Sequence, residues 1–241
     1  ADAWDTGKSE VVRLARRIKG ELDVDESENN RRSLLSSRLM GDAFKGLESV
    51  YDPVNGGFGV APKFPRPAYL SLLLRYWYRT GSGKAMEMLR KSLDHMAAGG
   101  IRDQAGGGFH RYSTDESWLV PHFEKMLYDQ ALLSRIYAEA FVATGEPFYE
   151  KVSRSILDYV IRDMTAPGGG YMSAEDADSG GMEGGFYLWT SQEIEGLPDV
   201  EDAEGLMETY GVTEEGNFER GYSILNMNGV RGGGREERSA V

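Results

Sequence analysis

A Gly-Gly-aromatic triplet recurs along this chain, at Gly56-Gly57-Phe58, Gly107-Gly108-Phe109 and Gly169-Gly170-Tyr171, with a weaker echo at Gly216-Asn217-Phe218. Successive aromatics lie 51, 62 and 47 residues apart (58 to 109, 109 to 171, 171 to 218). A second kind of punctuation, Thr80-Gly81 and Thr144-Gly145, falls between the triplets at a separation of 64 residues. Glycine supplies the left-handed backbone that ends a helix or tightens a turn. Short turns alternating with long glycine-rich loops read as repeated helical hairpins, with the turns at one end of the array and the loops at the other. One hairpin cannot bury its apolar faces alone, so neighbours must stack.

The segments between these marks carry helical periodicity, which makes the expected class all-α. Val11, Leu14, Ala15 and Ile18 form a stripe over 9–20; Leu35, Leu39, Ala43, Leu47 and Val50 form another over 33–50. Polar residues from Asp23 to Arg32 read as the loop between them. Pro67 opens a helix running to about Arg79 with Leu70, Leu73, Leu74 and Trp77 inward, and Lys84 to Ala98 follows with Leu89, Leu93 and Met96. Gly99-Gly100 reads as its C-terminal cap, and His95 within it as structural. Pro121 and Pro147 are expected to open two further helices, ending near Ala143 and Met164. Strand-like alternation is confined to Phe186–Trp189 and Tyr222–Leu225.

Composition narrows the partners. The net charge is −12, which excludes the clustered cations that nucleic acid or anionic lipid requires. Residues 1–171 balance 23 acids with 23 bases, so the excess (4 − 16 = −12) lies in residues 172–241. There are no cysteines, so the chain performs no thiol chemistry. No leader is visible and no apolar run approaches a membrane span, so a cytoplasmic location is the expectation. No Walker or dinucleotide glycine pattern and no convincing zinc spacing occur, so no cofactor and no metal are expected.

Three longer motifs then carry a resemblance: GGFGVAPKFP at 56–65, MAAGGIRDQAGGGFHRYSTD at 96–115 running on to PHFEKMLYDQ, and GGGYMSAEDADSGGMEGGFYLWT at 168–190. The chain from about Leu35 to Asn228 resembles the spermatogenesis-associated thioredoxin-like proteins. That resemblance implies part of an (α/α) toroid of the six-hairpin glycosidase type, as in N-acylglucosamine epimerases, following a thioredoxin domain. It implies a helical linker over residues 1–30 and a partial toroid over 31–241. It also implies that the remainder of the toroid, or a partner chain, covers the flank of the last hairpin.

In such a ring the long loops gather at the mouth of a central cavity, which makes a small sugar or polyol the expected ligand. Phe58, Phe109 and Tyr171 are candidate stacking platforms, against the alternative that they plug the hairpin ends. Lys63, stiffened by two prolines, could hold an anionic group. His110, Arg111, Tyr112 and Asp115 follow the second triplet as candidate binding residues, with Asp129 farther on. His122 and Glu124 are the candidate proton-transfer pair, expected near a helix N-terminus behind Pro121. Asp176 and Asp178, in a run with Glu175 and Glu183, are the candidate carboxylates opposite Glu124, as glycoside hydrolysis or epimerisation requires. Asp176, Asp178 and Gly181 also fit three positions of a calcium loop, but its last position is Tyr187. The reading opposed to catalysis is a scaffold or client-binding domain of a thioredoxin-fused redox protein.

Overall fold

The structure, a computed structural model, describes residues 2–22, 38–198 and 200–229. It divides into two compact units at Gly41. The first contains helix α1 (Asp2–Leu22), interrupted at Gly7. Its Val11, Leu14 and Ile18 keep the helical period but are exposed. Leu35, the Asp23–Arg32 loop and the proposed boundary at residue 30 lie outside the described residues.

The second unit is built from helical hairpins. After α2 (Arg38–Ser49) come α3 (Pro67–Thr80) and α4 (Gly83–Ala98), then α5 (Leu127–Thr144) and α6 (Pro147–Asp163). The two short turns are the ones the sequence marks: Gly81 and Gly145 take φ of 71° and 70° and close the helices before them. Leu70, Leu73, Leu89, Leu93, Leu133, Ile136, Val152 and Ile156 form one core across all four helices. Polar bonds fix the stacking. The Tyr137 hydroxyl donates to the Leu93 carbonyl at 2.8 Å, and Arg75 meets Glu139 through both terminal nitrogens.

At the other end, the three triplets close the same backbone loop. In the first, Asp52 N–H donates to Gly57 O, Gly56 N–H to Asp52 O, and Gly59 N–H to Val50 O, at 3.0, 3.0 and 2.8 Å. Asp103, Gly107 and His110 repeat this pattern in the second loop at 3.1, 3.1 and 2.8 Å, and Ala166, Gly169 and Met172 make the corresponding bonds in the third, a loop one residue shorter, at 3.1, 2.9 and 2.7 Å. Both glycines of each triplet take φ between 67° and 84°, a region costly for residues with a Cβ. The glycine pair is therefore the device that folds each loop.

One local expectation is corrected. Residues 121–126 are not helical: Pro121–His122 (β2) pairs antiparallel with Tyr112–Ser113 (β1), and Lys125–Met126 (β3) pairs with Ala174–Glu175 (β4). The fixed φ of proline suits extended backbone as well as a first helical turn, and α5 begins only at Leu127 once those ladder bonds are spent. Gly99 does cap α4, its N–H donating to the His95 carbonyl at 3.0 Å from an extended backbone; it and Gly100 are glycine because the backbone of Trp118 and Leu119 lies where a Cβ would stand. The two strand-like stretches pair with each other as Leu188–Trp189 (β7) and Ser223–Ile224 (β8). Asp178–Ser179 (β5) and Met182–Glu183 (β6) form a tight hairpin through Gly180 and Gly181, both at positive φ. That turn, of the two-glycine hairpin kind, replaces the calcium-loop reading. Helices α7 (Ser191–Glu195) and α8 (Ala203–Tyr210) complete the described chain. No helix among the described residues is long and apolar enough to cross a membrane.

Candidate functional site

The β1–β2 ladder and the Arg111 N–H to Glu124 O bond of 2.8 Å bring Arg111, Tyr112, His122 and Glu124 together. His122 Nδ1 lies 2.6 Å from Glu183 Oε1, and its Nε2 lies 3.7 Å from Glu124 Oε2. Arg111 donates to Glu124 Oε2 at 2.8 Å. The Tyr112 ring stacks on the imidazole at 5.0 Å and leans on Phe64 at 4.8 Å, which fixes the plane of the histidine. Asp129, in the first turn of α5, is buried beside this set. Burial lifts its carboxyl to about 6, with Glu124 adding to the lift and Arg111 opposing it. The cluster thus holds a cation, an imidazole spanned by two carboxylates, and an acid that exchanges its proton close to neutrality.

The carboxylate that reaches His122 is Glu183, delivered by the β5–β6 hairpin, rather than Asp176 or Asp178. Asp176 and Asp178 are exposed, and Asp176 accepts the Asp178 amide at 3.1 Å. Glu175 is occupied by the hydroxyls of Tyr159 and Tyr187. Asp115 is a turn-former: its carboxylate accepts the amides of Ser117, Leu119 and Val120 and the Ser117 hydroxyl. Phe58 and Phe109 are core residues, 5% and 0% exposed, so neither ring offers a face to a ligand. Their size and apolarity favour burial once the next hairpin packs over the loop. Tyr171 is exposed.

Lys63 is fully buried, not superficial: its Nζ donates to Asp52 Oδ2 at 2.6 Å and to the Glu116 carbonyl at 3.0 Å. Lys125 repeats this in the second loop, with Asp103 at 2.8 Å and the Gly107 carbonyl at 3.0 Å, under the rings of Tyr159 and Tyr187. Burial alone would raise the Asp52 carboxyl, but Lys63 and the amides of Asn55 and Val54 outweigh it and hold it at about 2. His110 is likewise internal: its Nδ1 lies 2.9 Å from the Phe123 carbonyl, and burial with Lys125 nearby pushes its pKa down to about 3. The lysine pairs escape a reading based on spacing because the lysines follow their aspartates by different intervals, 11 and 22 residues. One signal was available: the residue after each loop's opening position is Asp52, Asp103 and then Ala166.

The helical hairpins and this loop pattern find counterparts among known proteins. Human spermatogenesis-associated protein 20 is 46% identical over an alignment of 240 positions that covers 90% of this chain, and the mouse protein is 42% identical over the same share. Over the aligned residues this chain is homologous to spermatogenesis-associated protein 20. It spans about 30% of the length of those relatives. No family model matches it. A sugar epimerase from a ruminal bacterium superposes with a TM-score of 0.53 at 15% identity, over 65% of this chain and 45% of that one. The cellobiose 2-epimerase of Spirochaeta thermophila gives 0.51 at 16% identity, over 58% and 39%. At these identities the likeness is one of fold: stacked hairpins of an (α/α) toroid.

Proposed function

We propose that the His122 cluster is a proton-transfer site acting on a sugar or polyol, of the epimerase or glycosidase kind. The observation that carries the reading is the imidazole held between Glu183 and Glu124 at 2.6 and 3.7 Å, with the raised Asp129 carboxyl close by. A neutral imidazole beside a carboxylate can take a proton, and a carboxyl that titrates near neutrality can return one. Arg111 offers a donor for a developing oxyanion once Glu124 turns toward substrate. Solved neighbours of the same fold are described as sugar epimerases, which supports the substrate class by analogy. The remaining hairpins of the ring, from the same protein or a partner, are proposed to close the cavity around the ligand.

The competing reading is a scaffold that presents clients to a fused redox domain, and the closed hydrogen bonding of Arg111, Glu124, His122 and Glu183 favours it. Thermal denaturation against a broad panel of mono- and disaccharides separates the two. Stabilisation of several degrees by at least one sugar, lost in Glu124→Gln, is expected. Melting that does not move with any sugar would leave the scaffold standing.

A further inference from the structure

Outside the His122 cluster, a cavity of about 420 Å3 opens between the second glycine loop and the β7–β8 pair, lined among others by Arg102, Gln104, His110, Phe186, Tyr187 and Trp189. That is within the range of small-ligand sites. It is polar at one end and aromatic at the other.

Arg102 supplies the polar end. Its Nε is buried without a hydrogen-bond partner among the described residues. Among the described residues its terminal nitrogens make only long contacts, 3.4 Å to Gln104 Oε1 and 3.4 Å to Ser155 Oγ. The adjacent carboxylate, Asp103, is committed to Lys125 at 2.8 Å and to the amides of Ala105 and Gly106 at 3.0 and 2.8 Å. The Lys125–Asp103 pair therefore cancels, His110 is neutral at physiological pH, and a guanidinium is left in excess. An under-bonded buried donor and an uncompensated cation both favour an anion.

The aromatic end is equally marked. Phe186 is 72% exposed and stands edge-on to Tyr187 at 5.2 Å. The first glycine loop offers a comparison. There Tyr51 occupies the position of Arg102, and the Trp118 indole lies against Gly57 and donates to the Asn55 carbonyl at 3.0 Å. The equivalent carbonyl of the second loop, that of Gly106, is met by Arg162 instead, and Gly106 lines the cavity. The Tyr159 ring packs on Gly108 as the indole packs on Gly57, so what sets the second loop apart is a cation where the first has a phenol.

We propose that this cavity binds a small ring-bearing carboxylate, with the carboxylate on the Arg102 guanidinium and the ring against Phe186 and Trp189. The ring is sugar or arene, since either presents C–H or π faces to an aromatic wall. None of the side chains that would hold it belongs to the His122 cluster, so binding here survives Glu124→Gln.

Isothermal titration of the 241-residue chain with glucuronate and with benzoate tests this, with glucose and inorganic phosphate as controls. Saturable binding of at least one carboxylate is expected, weakened tenfold or more in Arg102→Gln and several-fold in Phe186→Ala. Glucuronate or benzoate binding alone says which ring is preferred. Glucose binding as well as glucuronate would overturn the role of the charge, and phosphate binding as well as either would overturn the role of the ring. Absence of binding by both carboxylates, or binding indifferent to both substitutions, overturns the site. Phe186 is exposed, so its variant remains informative if Arg102→Gln does not fold.

Discussion

The second and third glycine loops share a backbone and differ in nearly everything else. The second encloses a buried lysine–aspartate pair, sets its aromatic at 0% exposure, and holds Gly108 where a Cβ would meet the Tyr159 ring at 2.6 Å. The third has Ala166 in place of the aspartate, leaves Tyr171 at 56% exposure, and meets nothing within 4 Å of a Cβ at Gly169 or Gly170. Yet, although the third loop is one residue shorter, its three backbone bonds correspond to those of the second and the glycine φ values agree. Local chemistry alone therefore makes the turn, and neighbouring elements make the burial.

Substitutions that strip one loop and spare the other test this separation. The largest effect is expected for Asp103→Ala, which leaves Lys125 buried without its partner and the Ala105 and Gly106 amides uncapped. Such losses cost about 3–5 kcal/mol, measured as a fall in denaturation midpoint, whereas Ala166→Asp should stay within about 0.5 kcal/mol. A finer cut comes from glycine. Gly108→Ala and Gly170→Ala both force a Cβ into positive φ, about 1–2 kcal/mol, but only Gly108→Ala adds the clash with Tyr159, a further ~1–3 kcal/mol. Equal losses at the two positions would mean that the burial of the second loop is irrelevant to its stability.

The smallest effects lie in pH. Asp52 and Asp103 have folded pKa values below their unfolded ones, so their contribution is complete above about pH 4 and disappears as pH falls through the folded values, that of Asp52 lying at about 2. Amide exchange in the first two loops should accelerate over that window while the third is unaffected. Asp129 has the opposite sign. Its pKa rises from 3.8 to about 6, so stability falls as pH increases between those values and is flat above them. Asp129→Asn should remove that slope and stabilise the fold at pH 7 by about 1–2 kcal/mol.

How much of this could be read from the chain follows the same division. Hairpins were legible because Gly81, Gly145 and the three triplets impose positive φ, a demand visible one residue at a time. Pro67 and Pro147 announced their helices for a similar reason. Pro121 misled because its geometry serves a strand equally well, and the ladder partner that decides the matter, Ser113, is chosen by tertiary packing. Phe58 and Phe109 read more readily as plugs than as platforms, because large rings favour the core; the hairpin that covers them is what makes them plugs. Of the site, the conjunction of Arg111, His122 and Glu124 was legible, since all three lie within one short stretch. Glu183 was not singled out from its acidic neighbours, because only the pairing of Asp178 with Glu183 turns that side chain toward the imidazole.

Segments 110–113 and 121–124, which meet in the two rungs of β1 and β2, are two-faced. His110 and Phe123 look inward to the cavity beside Arg102, whereas Arg111, His122 and Glu124 look the other way. Point substitutions can thus retune either side without disturbing its neighbour. An insertion or deletion of one residue within 110–112 or 122–124 cannot, because it would exchange the inward set for the outward one in a single step. Variation in length among relatives is accordingly expected to collect in the tip, residues 114–120, and to avoid the rungs.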